Sequence, residues 1–391
     1  MGDPVSGTGL EDVTGIRDGS QALRNVTLRA ADGELLVVLG SSGSGKSTIL
    51  RVLAGLTQVG SGTVIINGRD VTKLPPGERR VAMVFETSAL IPFLDVSRNL
   101  GWGLRAQRLP ETEVKERVKN LARQLRLSRL LPRRPDDLST GERGLVGIGH
   151  ALVQRPDVFL LDEPLAGLDA GERTRVRQEI VHIVRSLGAT TFFVTHDQAE
   201  GLAVADRVAL LHDGAVVQVG TPRELYQRPA DLFAAGFVGT PPIGLLPARL
   251  VSAGGQAAFT VGNRTLPLWR AVPPPLRDHV GREVVLGLRA EDVHDPTAGN
   301  DPDSVTLAAV VREVEYTGRR NVVTVAVGTP PVTARGSDVS GDTARGATLR
   351  SFFPPRSVVR PGAAVTVAVK ASSAHVFDAV TGRALWHPEP P

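Results

Sequence analysis

The segment from Gly40 to Ser47 reads Gly-Ser-Ser-Gly-Ser-Gly-Lys-Ser and matches the Gly-x4-Gly-Lys-Ser pattern of a phosphate-binding loop. An apolar run precedes it at 35–39, and a mainly apolar run follows at 49–53. In such a loop the glycines let backbone N–H groups surround phosphate oxygens, and the lysine adds a positive charge. The pattern predicts a nucleotide site rather than a glycine-rich turn that only opens a helix. The predicted nucleotide-binding residues of the loop are Gly40, Ser41, Ser42, Gly43, Ser44, Gly45, Lys46, Ser47 and Thr48.

Two further short apolar runs end in polar residues that suit phosphoryl transfer. Asp162 and Glu163 end the first, and His196 ends the second. Asp162 is expected to hold Mg²⁺ on the side opposite the hydroxyl of Ser47, which is a second oxygen ligand. Glu163 is expected to orient and polarise the attacking water, and His196 to donate a hydrogen bond to the γ-phosphate. The predicted catalytic residues are Lys46, Glu163 and His196.

These side chains need elements that bring them to one place. The three apolar runs at 35–39, 158–161 and 191–194 each end in such residues, which is the layout of a parallel α/β sheet with its ligand at the carboxyl ends of the strands. A helical insert at about 87–155 separates the first two runs, because apolar residues recur there at helical spacing. Those apolar residues are Val114, Val118, Leu121 and Leu125. The predicted fold class is α/β, with a P-loop NTPase core interrupted by this insert.

The pattern of apolar and polar residues changes after Gly239. Short alternating runs at 284–288, 322–327 and 364–369 are broken by Gly and Pro, which predicts an all-β domain. We therefore divide the chain into domains at 1–239 and 240–391.

Composition excludes several classes of protein. The chain of 391 residues has no Cys, so disulfides and cysteine-based metal or redox sites are excluded, and a reducing compartment fits best. The net charge of +4 is spread over the chain without a basic block, which predicts no nucleic-acid partner. No apolar run approaches about 18 residues and the first ten residues lack a signal-peptide pattern, so we expect neither a membrane span nor secretion.

Four motifs after the phosphate loop resemble, in order and spacing, the ATP-binding subunits of ABC transporters. They are Leu-Ser-Thr-Gly-Glu-Arg at 138–143, Val-Phe-Leu-Leu-Asp-Glu-Pro at 158–164, Leu-Asp at 168–169 and Phe-Val-Thr-His-Asp at 193–197.

The remaining segments narrow the resemblance to importers with a C-terminal OB-like regulatory domain. The segments that carry it are Gly-Thr-Pro at 220–222, Glu-Leu-Tyr at 224–226, Phe-Val-Gly at 237–239, Gly-Leu-Arg-Ala-Glu at 287–291 and His-Val-Phe-Asp at 375–378. The resemblance spans nearly the whole chain, and the stretch 237–243 is most similar to importers of the maltose and glycerol-phosphate type.

The resemblance implies partners as well as chemistry. A second copy of the chain would complete an ATP sandwich in which Ser139, Gly141 and Glu142 close over the nucleotide held by the other copy, at the N-terminus of a helix. The same segment could also be an ordinary serine-initiated helix cap. Asp169 would help to couple the two sites. Membrane permease subunits would bind the chain at the cytoplasmic face of the membrane, where it is peripheral, and an extracytoplasmic solute-binding protein would take part indirectly.

Three features of the sequence depart from the family. The signature segment usually reads Leu-Ser-Gly-Gly-Gln, whereas Thr140 and Glu142 stand at its third and fifth places here. Glu86 replaces a Gln that touches Mg²⁺ and links the nucleotide to the permease; its carboxylate can still be a metal ligand. The aromatic residue that stacks on adenine is absent. Arg17 lies near its place, where its guanidinium could stack instead or simply be exposed.

The resulting prediction is an ATP-hydrolysing, energy-coupling subunit of an ABC importer, with carbohydrate as the favoured solute. Iron, sulfate or polyamine import remains an alternative. A different class, motivated by the three departures, is a degenerate regulatory or assembly subunit that binds ATP but turns it over poorly. A DNA-associated ABC ATPase is disfavoured, because coiled-coil heptads and a basic stripe are lacking.

Overall fold

The computed structural model divides the chain into two units, Met1–Pro222 and Arg223–Pro391. It describes residues 7–17, 20–85, 90–253, 255–269, 271–296, 304–332 and 346–388. Among these residues no helix combines the length and the apolar character needed to cross a membrane.

The first unit combines two sheets with six helices among the residues described. Its strands are β1 (Thr8–Arg17), β2 (Ser20–Ala30), β3 (Leu35–Gly40), β4 (Val59–Ile66), β5 (Arg69–Asp70), β6 (Val81–Val84), β7 (Val158–Asp162), β8 (Thr190–Val194), β9 (Arg207–His212) and β10 (Ala215–Gly220). Its helices are α1 (Lys46–Leu53), α2 (Val96–Ala106), α3 (Glu111–Gln124), α4 (Thr140–Leu152), α5 (Ala170–Leu187) and α6 (Gln198–Val204).

The central sheet has the strand order β10-β9-β3-β8-β7-β6. All its neighbouring pairs are parallel except β9 with β10. Every residue of β3, β7 and β8 is buried, as expected for parallel strands covered on both faces. The predicted parallel α/β sheet is confirmed, and its shared direction brings the ends of β3, β7 and β8 to one edge.

A second, antiparallel sheet with the order β2-β1-β4-β5 was not predicted from the sequence. Helix α1 packs against both sheets: its Ile49 and Leu50 share one core with Leu10 of the antiparallel sheet and with Val38 and Phe192 of the central sheet. The phosphate loop that precedes α1 is therefore anchored between two sheets.

The predicted helical insert consists of α2, α3 and α4, which lie between β6 and β7. The apolar residues that predicted it are all buried. Gly149 of α4 allows the helices to approach closely, because a Cβ there would lie 2.8 Å from Leu100 and 2.9 Å from Leu125. The helix that carries the signature segment is thus fixed by packing within the insert.

The second unit is mainly β structure. Its strands are β11 (Gly244–Ala253), β12 (Gln256–Val261), β13 (Arg264–Trp269), β14 (Glu283–Leu288), β15 (Val293–His294), β16 (Ser304–Tyr316), β17 (Asn321–Ala326), β18 (Thr348–Phe353), β19 (Ala364–Lys370), β20 (His375–Asp378) and β21 (Ala384–Trp386). Two short helices, α7 (Pro222–Gln227) and α8 (Leu232–Phe237), precede them.

These strands form a closed barrel, β15-β18-β17-β16-β19, and a six-stranded sheet, β13-β12-β11-β14-β20-β21. The five-stranded barrel agrees with the predicted OB-like domain. The six-stranded sheet was not predicted, although it shares one core with the barrel through residues such as Phe259, Leu286, Val323 and Val367.

The division between the units precedes the predicted boundary at Gly239. Helix α8 packs with the β structure that follows it: the Leu232 N–H donates to Gly382 O at 2.9 Å, and Leu232 and Ala235 are buried with Phe377. Contacts between residues so distant in sequence are not visible in a local pattern.

Candidate nucleotide-binding site

The phosphate loop connects β3 to α1 through two glycines with positive φ. Gly43 has φ 78° and Gly45 has φ 101°, values that side chains other than Gly rarely adopt. Gly45 is also crowded, since a Cβ there would lie 2.6 Å from Ala22 O. Gly45 is the N-cap of α1 and provides no side-chain cap, so the first N–H groups of the helix remain open to an anion.

Lys46 is the first residue of α1 and is only 6 % exposed. Its Nζ donates to Gly40 O at 2.9 Å and to Ser41 O at 2.8 Å, which holds the ammonium inside the loop. Burial lowers the pKa of Lys46, and the charges of Glu163 and Asp162 oppose that shift. These carboxylates favour the charged ammonium that a phosphate ligand requires.

Asp162 and Ser47 form the second part of the site. Asp162 ends β7 and is 7 % exposed, and its Oδ1 accepts a hydrogen bond from Ser47 Oγ at 2.9 Å. Two residues 115 positions apart are thus joined at the edge of the central sheet.

Glu163 and His196 form the third part. Glu163 Oε2 lies 2.9 Å from His196 Nδ1, although the two residues follow different strands. Glu163 has φ 46°, an unusual backbone conformation for a glutamate, and its N–H donates to Val194 O at 3.0 Å. The Glu163 side chain at this turn is 21 % exposed. The His196 side chain is 66 % exposed.

A cavity of about 630 Å³ joins Glu163 to the phosphate loop. Five residues that line it were not predicted from the sequence, namely Gln21, Ala22, Arg24, Asp213 and Gly214. Asp-Gly between two apolar runs predicts the β9–β10 hairpin. No local signal could place that hairpin beside the loop, where the Gly214 N–H donates to Ser44 O at 3.0 Å.

Two predicted residues fall outside what the structure describes. Glu86, the proposed third metal ligand, lies in the omitted segment 86–89, and the side chain of Arg17 is likewise outside the description. Their proposed roles remain predictions from the sequence.

The signature segment begins α4 and forms a capping box. Ser139 is the N-cap; its Oγ accepts from the Glu142 N–H at 3.2 Å, and the Ser139 N–H donates to Glu142 Oε2 at 2.9 Å. Ser139, Gly141 and Glu142 are not among the residues that line the cavity beside Lys46. The unusual Glu142 therefore has a local role as a helix cap.

We expect Glu142→Gln to change the free energy of unfolding by no more than about 0.5 kcal/mol, because Gln also closes a capping box. Glu142→Ala should lower it by about 0.5–1 kcal/mol through loss of the hydrogen bond to the Ser139 N–H. Denaturation of both variants checks the difference. Equal stability of the Ala and Gln variants would contradict the capping role.

The fold and this geometry define a P-loop ATPase. A lysine inside a glycine-rich loop, a Ser–Asp pair and a Glu–His pair converge at the carboxyl edge of a parallel sheet, as phosphoryl transfer to water requires.

Comparison with known proteins gives the family. The ABC transporter family model matches residues 23–166. The sn-glycerol-3-phosphate import ATP-binding protein UgpC of Cereibacter sphaeroides is 39 % identical over 96 % of this chain and 99 % of its own length. The trehalose/maltose import ATP-binding protein MalK of Thermococcus litoralis is 37 % identical over 98 % of this chain and 100 % of its own length. This chain belongs to the family of ATP-binding subunits of ABC transporters and is an ATPase.

Solved structures agree with this assignment. The ATP-binding cassette MJ0796, a dimer bound to ADP and Pi in a post-hydrolysis state, is 29 % identical and covers 55 % of this chain and 98 % of its own, with a TM-score of 0.50. CbiO1 of Clostridium perfringens, part of the ABC transporter complex cbiONQ, is 27 % identical and covers 56 % of this chain and 90 % of its own, with a TM-score of 0.53.

Proposed function

We propose that this chain is the energy-coupling ATPase of an importer for a carbohydrate, including polyol phosphates of the glycerol-phosphate kind. The observation that carries the proposal is the convergence of Lys46, the Ser47–Asp162 pair and the Glu163–His196 pair at one sheet edge. The chain matches nearly the full length of import ATP-binding proteins for glycerol phosphate and for trehalose and maltose. This similarity supports a carbohydrate as the solute.

The residues of the site have separate roles in ATP hydrolysis. Lys46 neutralises charge on the transferred phosphoryl group, and the open N–H groups at the start of α1 hold its oxygens. Glu163 accepts a proton from the attacking water, while His196, which follows the neighbouring strand, donates a hydrogen bond to the γ-phosphate. The strained Glu163 backbone fixes the base before substrate arrives.

The Ser47–Asp162 pair fits Mg²⁺. Both side chains offer hard oxygen ligands, and their oxygens lie 2.9 Å apart at the rim of the phosphate loop. When bound with ATP, the ion would neutralise charge on the β- and γ-phosphate oxygens. Among the residues described, no group of three His, Cys or carboxylate residues could hold the ion alone, which suits an ion that takes its remaining ligands from ATP and water.

We expect Asp162→Asn to raise the Mg²⁺ concentration for half-maximal hydrolysis at least about tenfold, since a neutral amide replaces an anionic ligand. A magnesium titration of phosphate release measures the shift. Asp157→Asn, which alters a partly exposed carboxylate one residue before the same strand, provides the matched control. An Asp162→Asn variant with wild-type magnesium dependence would contradict the assignment.

The signature segment supports a head-to-tail dimer. Ser139, Gly141 and Glu142 lie at the N-terminus of α4 and do not line the cavity of their own subunit, so we propose that they close over ATP in a second copy. The dimeric form of MJ0796 supports this arrangement.

Exposed aromatic residues support a permease-binding surface on the helical insert. Phe93 is 73 % exposed and Trp102 49 % exposed, which is unusual for large apolar side chains. Buried Asn99 fixes the loop that carries Phe93: it accepts from the Ile91 N–H at 2.7 Å and donates to Leu94 O at 3.0 Å. We propose that this loop docks on permease subunits at the cytoplasmic face of the membrane, with a solute-binding protein on the other side.

Uptake by intact cells tests the proposal. Cells that carry the chain as Glu163→Gln should lose uptake of one labelled carbohydrate or polyol phosphate from a panel that also contains sulfate, iron and polyamines. Glu116→Gln, at an exposed position of α3, is the control. If the Glu163→Gln cells instead lost uptake of sulfate, iron or a polyamine, that solute would replace carbohydrate as the proposed substrate of the importer. Normal uptake of every solute would overturn the transport function.

A further inference from the structure

Arg173 connects two loops of the ATPase site. It lies on α5, and its guanidinium donates from Nη2 to Leu168 O at 3.1 Å and from Nη1 to Asp197 Oδ2 at 3.2 Å. Leu168 precedes the N-cap of α5, and Asp197 follows His196 in the chain. We call this three-residue contact the Arg173 bridge.

The Asp197 end of the bridge belongs to a closed hydrogen-bond network around His196. The Asp197 N–H donates to Thr195 Oγ1 at 3.0 Å, and Asp197 Oδ1 accepts from the Glu200 N–H at 3.0 Å. Thr195 Oγ1 in turn donates to the buried Glu200 Oε2 at 2.9 Å. Both chain neighbours of His196 are therefore fixed, whereas its exposed ring is held through Glu163.

The Leu168 end ties this network to the start of α5. Asp169 caps that helix, since its Oδ1 accepts from the N–H groups of Gly171 and Glu172, both at 2.9 Å. The loop with the histidine is consequently attached to a rigid helix rather than to its own strand alone.

The Arg173 bridge is better suited to positioning the loop that carries His196 than to stabilising the fold. The side chains of Arg173 and Asp197 are 38 % and 32 % exposed, and ion pairs with such exposure contribute little to folding. A planar guanidinium can hold a carboxylate and a carbonyl at once, whereas the single ammonium of lysine matches that geometry poorly. Arg173 Nε has no hydrogen-bond partner among the residues described, so the two Nη atoms alone make the contacts to the two loops.

We propose that Arg173 is a positioning residue for hydrolysis, which acts through Asp197 to hold His196 in register with Glu163. This inference rests on the roles in hydrolysis proposed above for Glu163 and His196. It assigns to α5 a role in positioning the histidine, although no residue of α5 is among those that line the cavity beside the phosphate loop.

Steady-state kinetics of the full-length chain tests the bridge. We expect Arg173→Met to lower kcat about tenfold while KM for ATP stays within about twofold, because a small displacement of a catalytic group lowers the rate without removing substrate contacts. Arg173→Lys should recover only part of the loss. Since the arginine acts through His196, Arg173→Met should lower kcat no further in a His196→Ala background.

The same helix offers a matched control. Arg175 pairs with Glu179 at 3.5 Å, whereas the described hydrogen bonds to Leu168 O and Asp197 Oδ2 come from Arg173, so Arg175→Met should retain wild-type kinetics. Asp197→Asn is a second variant that breaks the ion pair while keeping an N-cap, and it should repeat the loss if Arg173→Met does not fold. Wild-type kcat in these bridge variants, or an additive loss with His196→Ala, would overturn the proposal.

A second readout requires no turnover. The NMR signal of the His196 ring, assigned with His196→Ala, should shift in Arg173→Met and stay unchanged in Arg175→Met. An unchanged signal would refute the bridge even if the chain hydrolysed ATP normally. A wild-type chain that shows no hydrolysis would instead count against the ATPase function, and the ring signal would still decide the bridge.

Discussion

Replacing Glu163 with Gln is expected to lower kcat for ATP hydrolysis by about 10²–10⁴ while leaving ATP binding nearly unchanged. Gln has the same size and can still hydrogen-bond to His196, but it cannot accept a proton from water. The residue lines the nucleotide cavity, so its removal as a base leaves the phosphate loop untouched. Phosphate release and equilibrium ATP binding, measured on the same preparation, separate the two effects.

Glu116→Gln controls for the loss of one negative charge, because Glu116 is exposed on α3. It should hydrolyse ATP as the wild type does. If Glu163→Gln kept more than about one tenth of the wild-type rate, another group would have to be the base. A wild-type chain that binds ATP without turnover, even with its permease, would favour the regulatory-subunit hypothesis.

Replacing Lys46 with Met should produce the second large effect, a rise in the Kd for ATP of about 30- to 1,000-fold. This range corresponds to about 2–4 kcal/mol, which lies within the ~2–5 kcal/mol typical of removing one partner from a buried charge pair. The ammonium is already enclosed by the carbonyls of Gly40 and Ser41, so it is positioned before the phosphates bind. Equilibrium dialysis with labelled ATP measures the change.

Lys73→Met, at an exposed position outside this cavity, provides the control and should bind ATP normally. Thermal unfolding without nucleotide separates binding from folding, because the Gly40 and Ser41 carbonyls lose their donor in the variant. A Kd within about threefold of wild type, in a folded Lys46→Met protein, would contradict the assigned role.

The two variants should change ATP binding and hydrolysis in different ways. Glu163→Gln should separate binding from turnover, whereas Lys46→Met should weaken both. If Glu163→Gln and Lys46→Met both lost ATP binding as well as turnover, the fold around the phosphate loop would be damaged. The unfolding measurements would reveal such damage.

Local patterns predicted the parts of the site that lie at strand ends. Gly40 and Asp162 end buried strands and His196 follows one, and parallel strands necessarily bring such positions to one edge. The direct contacts, Ser47 with Asp162 and Glu163 with His196, realise that expectation. The predicted roles of these residues in binding and catalysis await the measurements above.

Other parts could not be predicted because they depend on contacts between distant segments. Gln21 and Arg24 reach the cavity only because an antiparallel sheet packs beside α1. The position of α8 depends on its contact with the Gly382 turn. The contact of Glu142, in contrast, is local: its carboxylate accepts a hydrogen bond from the Ser139 N–H at the start of the same helix.

The bare start of α1 links the stability of this protein to its ligand. The helix has only eight residues, its N-cap Gly45 offers no side-chain acceptor, and its first turn contains no acidic residue. A phosphate group is thus the missing cap, and nucleotide binding completes the secondary structure as well as filling the cavity. By mass action, nucleotide at about 100 times its Kd would raise the free energy of unfolding by about 2.7 kcal/mol. Loss of bound nucleotide would remove this added stability, so the chain without ligand should unfold at a lower temperature.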